Sequence, residues 1–337
     1  MRYDIYFHDD FDGRASAAVV LAFLRSRGDE IEHYTPVNFD IQSQWLKEGF
    51  FNNHKLFRDP RKVRRKAGPR GEPRNPAIVV DFLYHPDAAL WFDHHETSFK
   101  RADWGKKFRP SKFHHWDPNY ASCCHQVLDK LTKTFGWRPP KHLRELSKWL
   151  DVVDGAKYRS AKQTIELKEP ALRLAEFIDE RTKHGETLEW LIKLMSEQSL
   201  DVIIRHRKIK PTLRNIKRKV KDSLEFYRKN LQIYGKTTLI NGIDSKRACL
   251  RFAPYYLLPD SVYHVRLKKV GKIYGFTAGV NPWRRKENKL HIGKLLFKTF
   301  GAGGGHKAVG GTEFKTRKEA MRGAQKIIEI FGRAARK

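Results

Sequence analysis

Short apolar runs and longer amphipathic stretches alternate along the N-terminal part of the chain. Arg2 to His8 alternates in polarity as a strand does, and Ala15 to Arg27 has the composition of a helix that ends at Gly28. Ile31 to Val37 and Ala77 to Phe82 predict two more strands, the second with the continuous apolar run of a strand covered on both faces. Strands that alternate with helices favour an α/β domain with a parallel sheet.

The pattern becomes mainly helical in the middle of the chain. A short strand is predicted at Leu90 to Asp93. Four helices are predicted after it: Ala121 to Thr134, His142 to Val153, Ala171 to Lys183 and Thr187 to Ser199. We therefore place the end of the first domain near residue 200. Residues 201 to 230 combine apolar positions at helical spacing with dense positive charge, which predicts a long basic connecting helix.

A strand-rich pattern returns after residue 230. Strand-like runs cover residues 231–241, 262–270 and 272–280, and helical runs cover 291–300 and 317–334. This order predicts a smaller α+β domain over residues 231–337. The whole chain is then an α/β domain over 1–200, a connecting helix over 201–230 and the α+β domain, which suits a length of 337 residues.

The net charge of the chain points to a polyanionic partner. Lysine and arginine total 68 against 38 acidic residues, a formal charge of +30, while 40% hydrophobic residues exclude a disordered basic tail. Two segments hold much of the excess: residues 51–75 have nine basic and two acidic residues, and residues 201–230 have eleven and three. Arg58 to Arg74, interrupted by Gly and Pro, is predicted to be a basic loop. Contact with nucleic acid and a merely solvated surface are both consistent with these segments.

The compartment follows from what the sequence lacks. No run approaches the 18 apolar residues of a membrane span, and the first residues have no signal-peptide character. Three cysteines, of which Cys123 and Cys124 are adjacent, form neither a disulfide framework nor a zinc motif. We expect a cytoplasmic protein without a membrane partner.

The first candidate for chemistry is the acidic cluster after the first predicted strand. His8, Asp10 and Asp12 alternate, so on extended backbone their side chains lie on one face, and Gly13 permits the turn into the helix. Neighbouring carboxylates repel one another, and a divalent cation relieves that repulsion. A solvated acidic turn that caps the helix is the alternative.

Two further clusters also follow predicted strands. Asp81 ends the apolar run, although a single acidic residue there is often only a turn or a helix cap. Asp93, His94 and His95 follow the short fourth strand, and oxygen with imidazole ligands suits Mn²⁺, Fe²⁺ or Zn²⁺. In an open α/β sheet the carboxyl ends of the strands are where ligands bind.

Taken in order, these motifs resemble those of the DHH phosphoesterase superfamily. That family includes RecJ-type exonucleases, nanoRNases, cyclic-dinucleotide phosphodiesterases and phosphatases of adenosine 3′,5′-bisphosphate. The C-terminal GAGGGHKAVGG run, residues 301–311, resembles the GGGH signature of the DHH-associated domain. The motifs that carry the resemblance are His8-x-Asp10-x-Asp12-Gly13, Asp81, Asp93-His94-His95 and Gly303-Gly304-Gly305-His306.

The resemblance implies a catalytic domain over residues 1–200 that holds two Mn²⁺ ions. One ion would be held by His8, Asp10 and Asp81, and the other by Asp12, Asp81, His94 and Asp154. Asp93 would orient an imidazole, and His95 would contact the scissile phosphate or assist the leaving group. For the fourth motif Asp151 is the alternative; we prefer Asp154 because Gly155 lets the chain turn there.

The same resemblance implies a substrate-binding domain over residues 231–337. Gly303, Gly304, Gly305 and His306 would hold a substrate phosphate, although a glycine turn that only links a helix to a strand is the alternative. Two weaker candidates are Asn281, where many relatives have an arginine motif, and Arg284. Four aromatic residues either stack on unpaired bases or belong to the core: Phe252, Tyr255, Tyr256 and Trp283.

We therefore expect a Mn²⁺-dependent exonuclease that hydrolyses short single-stranded RNA or DNA. A phosphatase or phosphodiesterase for a small nucleotide, such as adenosine 3′,5′-bisphosphate or a linear or cyclic dinucleotide, is the second hypothesis. A non-catalytic nucleic-acid-binding protein is the third, disfavoured because every expected type of ligand is present.

Overall fold

The computed structural model describes residues 1–52, 75–182, 186–245, 247–248, 250–305 and 307–336. The predicted basic loop Arg58 to Arg74 and His306 lie outside the described residues. The chain divides into two compact units. The first unit comprises Met1–Lys157 and Glu169–Thr212, and the second comprises Tyr158–Lys168 and Leu213–Lys337.

Each unit is built on its own sheet. The strands are β1 Arg2–His8, β2 Glu30–Val37, β3 Ala77–Val80, β4 Leu90–Asp93, β5 His114–Trp116, β6 Gln232–Tyr234, β7 Thr237–Asn241, β8 Tyr263–Val270, β9 Ile273–Val280, β10 Gly304–Gly305 and β11 Val309–Phe314. The first sheet has the order β2-β1-β3-β4-β5 and every pair in it is parallel. The second has the order β10-β11-β9-β8-β7-β6 and is mixed, because β7 and β8 pair in parallel while the other pairs are antiparallel.

Helices pack against both sheets. They are α1 Phe11–Arg25, α2 Gln42–Trp45, α3 Ala102–Lys107, α4 Cys123–Phe135, α5 Lys141–Val153, α6 Ala161–Glu166, α7 Pro170–Thr182, α8 Glu189–Glu197, α9 Leu200–Ile203, α10 Lys210–Asn230, α11 Ala253–Leu257, α12 Ile292–Phe300 and α13 Arg317–Arg336. The predicted fold class, a parallel α/β domain followed by a smaller α+β domain, is confirmed. Among the described residues no helix combines the length and the apolar character needed to cross a membrane.

The core of the first unit explains why α1 begins where it does. Nearly every residue of α1 is buried, as its Ala, Val and Leu content requires of a helix that packs on a sheet as well as on other helices. Asp10 caps the helix, since its side chain accepts a hydrogen bond of 2.9 Å from the Gly13 amide. The carboxyl end of β1 is thereby fixed against the amino end of α1.

The predicted connecting helix over residues 201–230 is interrupted. Helix α9 ends at Ile203 and α10 begins at Lys210. Pro211 lies in the first turn of α10, where its missing N–H does no harm, but a helix continuous through it would lose a hydrogen bond and clash with the preceding turn. Similarly, the run over residues 231–241 is a hairpin of β6 and β7, because Gly235 adopts a left-handed φ of 59° between them.

The division into units also differs from the predicted boundary near residue 200. Tyr158–Lys168 belongs to the second unit, where Ile165 packs in a cluster with Tyr227 and Ile240. The indole of Trp283 donates a hydrogen bond of 2.9 Å to the Tyr158 carbonyl. An eleven-residue segment with few apolar positions carries no periodicity that assigns it to one core or the other.

Candidate metal centre

Three neighbouring strands of the first sheet deliver the predicted motifs to one edge. His8 is the last residue of β1, Asp81 follows β3, and Asp93 ends β4, and these strands are adjacent in the sheet. Because all three are parallel, their carboxyl ends meet at the same edge.

The close approach of α1 to β1 requires Gly13. A Cβ atom on Gly13 would lie 2.2 Å from the His8 carbonyl oxygen and 2.7 Å from the His8 nitrogen. Gly13 lies within helix α1 and is not among the residues with a positive φ, so its conformation alone does not demand glycine. The sequence-based explanation, that Gly13 permits the turn into the helix, is corrected: the absent side chain lets the helix that carries Asp12 contact the strand that carries His8.

Asp81 occupies the centre of the cluster. Its φ is 58°, a left-handed conformation that Asp tolerates better than most residues, and its amide donates a hydrogen bond of 2.9 Å to the Phe92 carbonyl. Its side chain is 1% exposed. One carboxylate oxygen lies 3.7 Å from His8 Nδ1 and the other 3.6 Å from His94 Nε2. The Asp81 carboxylate thus lies between His8 on one side and His94 on the other.

Asp154, at the end of α5, is the fourth-motif candidate that reaches the cluster. His94 Nε2 lies 3.5 Å from an Asp154 oxygen and 3.6 Å from an Asp12 oxygen. Asp151 is engaged elsewhere, accepting a hydrogen bond of 2.8 Å from the Ser122 hydroxyl and lying 2.6 Å from His125 Nδ1. The structure therefore brings Asp154, and not Asp151, to His94.

Asp93 and His95 form a separate pair beside the cluster. Asp93 is 1% exposed, and its Oδ1 lies 2.8 Å from His95 Nδ1 and accepts a hydrogen bond of 2.9 Å from the His94 amide. His95 Nδ1 also lies 3.7 Å from Asp81, but its hydrogen bond to Asp93 already uses that nitrogen. His95 Nε2 is consequently the ring nitrogen that is available to a substrate.

The amino end of α4 supports the cluster in a way that the sequence analysis missed. Asp12 accepts hydrogen bonds of 2.6 Å and 2.9 Å from the amides of Cys123 and Cys124. The carbonyl of Tyr120 lies 3.1 Å from His94 Nδ1, which directs the other ring nitrogen toward the carboxylates. The sequence does indicate that a helix begins here, because Ser122 is a typical N-cap residue. No local pattern links this helix to Asp12, which lies more than a hundred residues away in the chain.

The donors fit divalent cations. Three sets each have ligand atoms within 4.8 Å of one another: His8 with Asp10 and Asp81, Asp12 with His94 and Asp154, and Asp81 with His94 and His95. Three buried atoms of these sets have no hydrogen-bond partner among the described residues: His8 Nδ1, Asp81 Oδ1 and His94 Nε2. His8 Nδ1 lies 2.8 Å from Asp10 but without hydrogen-bond geometry. Buried polar atoms without partners are costly, and cation coordination would satisfy them.

The electrostatics of the cluster also call for positive charge. Burial alone lowers the pKa of His8, but Asp10 and Asp81 outweigh it and raise the pKa to about 11. The pKa of His94 is raised to about 10 in the same way, chiefly by Asp81 against the effect of burial. Burial and then the charge of Asp81 raise the pKa of Asp154 to about 6. The crowded carboxylates thus favour the protonated forms of His8, His94 and Asp154. A site with this electrostatic environment binds metal cations in exchange for protons.

The glycine run of the second unit is explained by close packing. A Cβ atom on Gly303 would lie 2.4 Å from the Gly311 oxygen, and one on Gly305 would lie 2.4 Å from the Val309 oxygen. The φ values of Gly303 and Gly305, 87° and 138°, also disfavour other residues. At Gly304 a Cβ would meet nothing within 4 Å. Since His306 lies outside the described residues, the phosphate-binding role of this run stays a prediction.

The two weaker substrate candidates take part in internal contacts. Asn281 is 1% exposed, its amide donates to the carbonyls of Pro259 and Ser261, and its oxygen accepts from the Trp283 amide. These bonds stabilise the turn after β9 and engage both the amide and the oxygen of the Asn281 side chain, and its substrate contact stays a prediction. Arg284 pairs with Asp260 and, at 2.9 Å, with Glu287.

Comparison with known proteins identifies the class of fold. No family model and no curated protein matches this sequence. Solved structures of DHH proteins match over almost the whole chain, so the fold is that of the DHH phosphoesterases and the resemblance seen in the motifs is confirmed at the level of the fold.

Three of these structures are informative. The pGpG-specific phosphodiesterase PggH of Vibrio cholerae aligns with a TM-score of 0.69 at 20% identity, covering 97% of this chain and 98% of that one. The DHH domain protein PF0399 aligns with a TM-score of 0.62 at 14% identity, covering 97% and 86%. RecJ of Thermus thermophilus in complex with Mn²⁺ aligns with a TM-score of 0.55 at 14% identity, covering 100% of this chain and 52% of that one.

Proposed function

We propose that this chain is a divalent-metal-dependent phosphodiesterase that hydrolyses short nucleotide substrates. The observation that carries the proposal is the pair of donor sets on a DHH fold, one of which contains the buried Asp81 while the other contains His94, whose Nε2 lies 3.6 Å from Asp81. We assign one Mn²⁺ to His8, Asp10 and Asp81, and a second to Asp12, Asp81, His94 and Asp154. When bound, two such cations would supply Lewis acidity at a phosphorus centre and make a water molecule more acidic.

His95 is the group that we assign to the substrate. Its side chain is 40% exposed, and its hydrogen bond to Asp93 fixes the ring with Nε2 available. That hydrogen bond, opposed by burial, raises the pKa of His95 and so favours the protonated imidazole. A protonated Nε2 can donate to an oxygen of the scissile phosphate or to the leaving oxygen as its bond to phosphorus breaks.

The proposed activity fits substrates of two different lengths, an oligonucleotide and a dinucleotide. The net charge of +30, with exposed Arg214, Lys217, Arg218 and Lys221 on α10, favours an oligonucleotide and hence an exonuclease. The match to a pGpG-specific phosphodiesterase over nearly the full length of both chains favours a dinucleotide. Because counterion release grows with the number of phosphates that contact the protein, a steep salt dependence of KM supports the oligonucleotide and a shallow one the dinucleotide.

Labelled dinucleotides and hexanucleotides of RNA and DNA, incubated with Mn²⁺ or with EDTA, test the proposal. We expect cleavage only with the metal, and its loss in Asp81→Asn. Asp244→Asn is the matched control, since this exposed carboxylate pairs with Arg317 in the second unit, and it should retain full activity. Cleavage that persists in EDTA or in Asp81→Asn, or no cleavage under any condition, would refute the proposal.

A further inference from the structure

An exposed aromatic ring lies beside the candidate metal centre. Phe39 begins a short 3-10 turn, Phe39–Ile41, separated from the end of β2 by one residue, and 48% of its surface is exposed. Its ring centroid lies 5.7 Å from the His8 imidazole in an edge-to-face arrangement and 5.4 Å from the Phe82 ring. The exposed ring therefore contacts a residue that we assign to the metal.

Phe39 is the outer member of an otherwise buried aromatic cluster. Phe82, only 1% exposed, packs edge to face on Trp45 at 4.9 Å, and Trp45 is fully buried. Phe82 thus packs against Phe39 and is itself supported by Trp45, while 48% of the Phe39 surface is exposed. A rigid aromatic surface with two χ angles loses little entropy when a planar ligand covers it.

Other aromatic residues fit this role less well. Phe252 and Tyr255, candidates for base stacking in the sequence analysis, are 8% and 5% exposed and belong to the core of the second unit. Phe113 is 43% exposed, but its ring neighbour is Phe135, at 6.3 Å, and not a predicted ligand. In the described part of the first unit, Phe39 combines exposure with contact to the centre.

We propose that Phe39 is a stacking surface for an unpaired nucleobase of the substrate, on a nucleoside next to the scissile phosphate. This inference rests on the proposed phosphodiesterase function and adds the substrate class, because a base one sugar away from the phosphorus lies within reach of a ring in contact with a metal ligand. Stacking on an aromatic face is tolerant of base identity. The enzyme then prefers nucleotides with unpaired bases to phosphodiesters that lack a base.

Dinucleotides that differ only in the replacement of one base by hydrogen test the inference. For the wild-type protein with Mn²⁺, we expect kcat/KM to fall about ten-fold when the stacked base is removed. The ratio to compare is kcat/KM with the base divided by kcat/KM without it. In Phe39→Ala and Phe39→Leu this ratio should shrink to within about two-fold, whereas Phe39→Trp should keep the wild-type ratio. Phe113→Leu is the matched control and should keep the wild-type ratio.

The leucine variant separates stacking from packing. Leucine preserves apolar contact with Phe82 but has no aromatic face, so a merely structural role would be rescued by leucine. A wild-type ratio in Phe39→Leu, or a wild-type enzyme indifferent to removal of either base, would overturn the inference while metal-dependent cleavage leaves the proposed function standing. Absence of metal-dependent cleavage of every dinucleotide would overturn both.

Discussion

Gly13 offers a sensitive test of how the first unit builds its metal centre. In Gly13→Ala the new methyl group would lie 2.2 Å from the His8 carbonyl oxygen, whereas carbon and oxygen in contact need more than 3 Å. The end of β1 and the start of α1 must therefore separate by about 1 Å. This movement would increase the distance between His8 and Asp12. Because these residues belong to different donor sets, the two sets would move apart.

The expected magnitudes follow from that displacement. Overpacking of this kind costs about 1–3 kcal/mol, of which alanine recovers up to about 1 kcal/mol through its better helix propensity. We expect the free energy of unfolding, measured with denaturant in EDTA, to fall by about 1–2 kcal/mol. Because a shift of about 1 Å can cost about a hundred-fold in rate, kcat/KM with Mn²⁺ should fall by a similar factor.

The matched control is Gly332→Ala in α13, where a Cβ atom would meet nothing within 4 Å. That variant should gain about 0.5–1 kcal/mol of stability and keep the Mn²⁺ affinity of the wild type. If Gly13→Ala behaves like Gly332→Ala in denaturation and in calorimetric titration with Mn²⁺, the packing argument is wrong.

Three further outcomes are expected. Asp154→Asn should lose bound Mn²⁺ by elemental analysis whereas Asp151→Asn should retain it; the reverse would move the ligand. Asp93→Asn should keep its metals but lose about ten- to a hundred-fold in kcat, with a lower pKa of His95 by NMR, and an unchanged pKa would exclude the orienting role. Burial lowers the pKa of His264 from 6.5 to about 3, so protonation of His264 favours the unfolded state. The contribution of neutral His264 to the free energy of unfolding is complete above pH 6.5 and should fall by about 2 kcal/mol at pH 5. His264→Gln should weaken this acid sensitivity in urea unfolding, and equal pH slopes in the two proteins would contradict it.

The parts of the centre that lie on strand ends could be predicted from the sequence. The apolar run before Asp81 and the alternation before His8 indicate strands, and parallel strands bring their carboxyl ends together. Asp93 could be assigned next to them for the same reason. The physical rule here is local, because two-residue periodicity and a following carboxylate are visible within a few positions.

Contacts between distant segments could not be predicted in this way. The amides of Cys123 and Cys124 hold Asp12 only because α4 packs against α1, a tertiary contact that no periodicity encodes. Phe39 has no sequence signature that distinguishes it from a core aromatic residue. Likewise the sequence suggests that Gly13 is a turn residue. Only the short distance from a Cβ atom at this position to the His8 backbone shows that Gly13 is needed because it has no side chain.

Anomalous diffraction from crystals grown with Mn²⁺ would locate the metal ions themselves. We expect two manganese peaks in the first unit, one bounded by His8, Asp10 and Asp81 and the other by Asp12, His94 and Asp154, with Asp81 contacting both. The two peaks should disappear in crystals of Asp81→Asn prepared identically. Manganese found only at other residues, or no ordered peak at millimolar metal, would contradict the assignment of this centre.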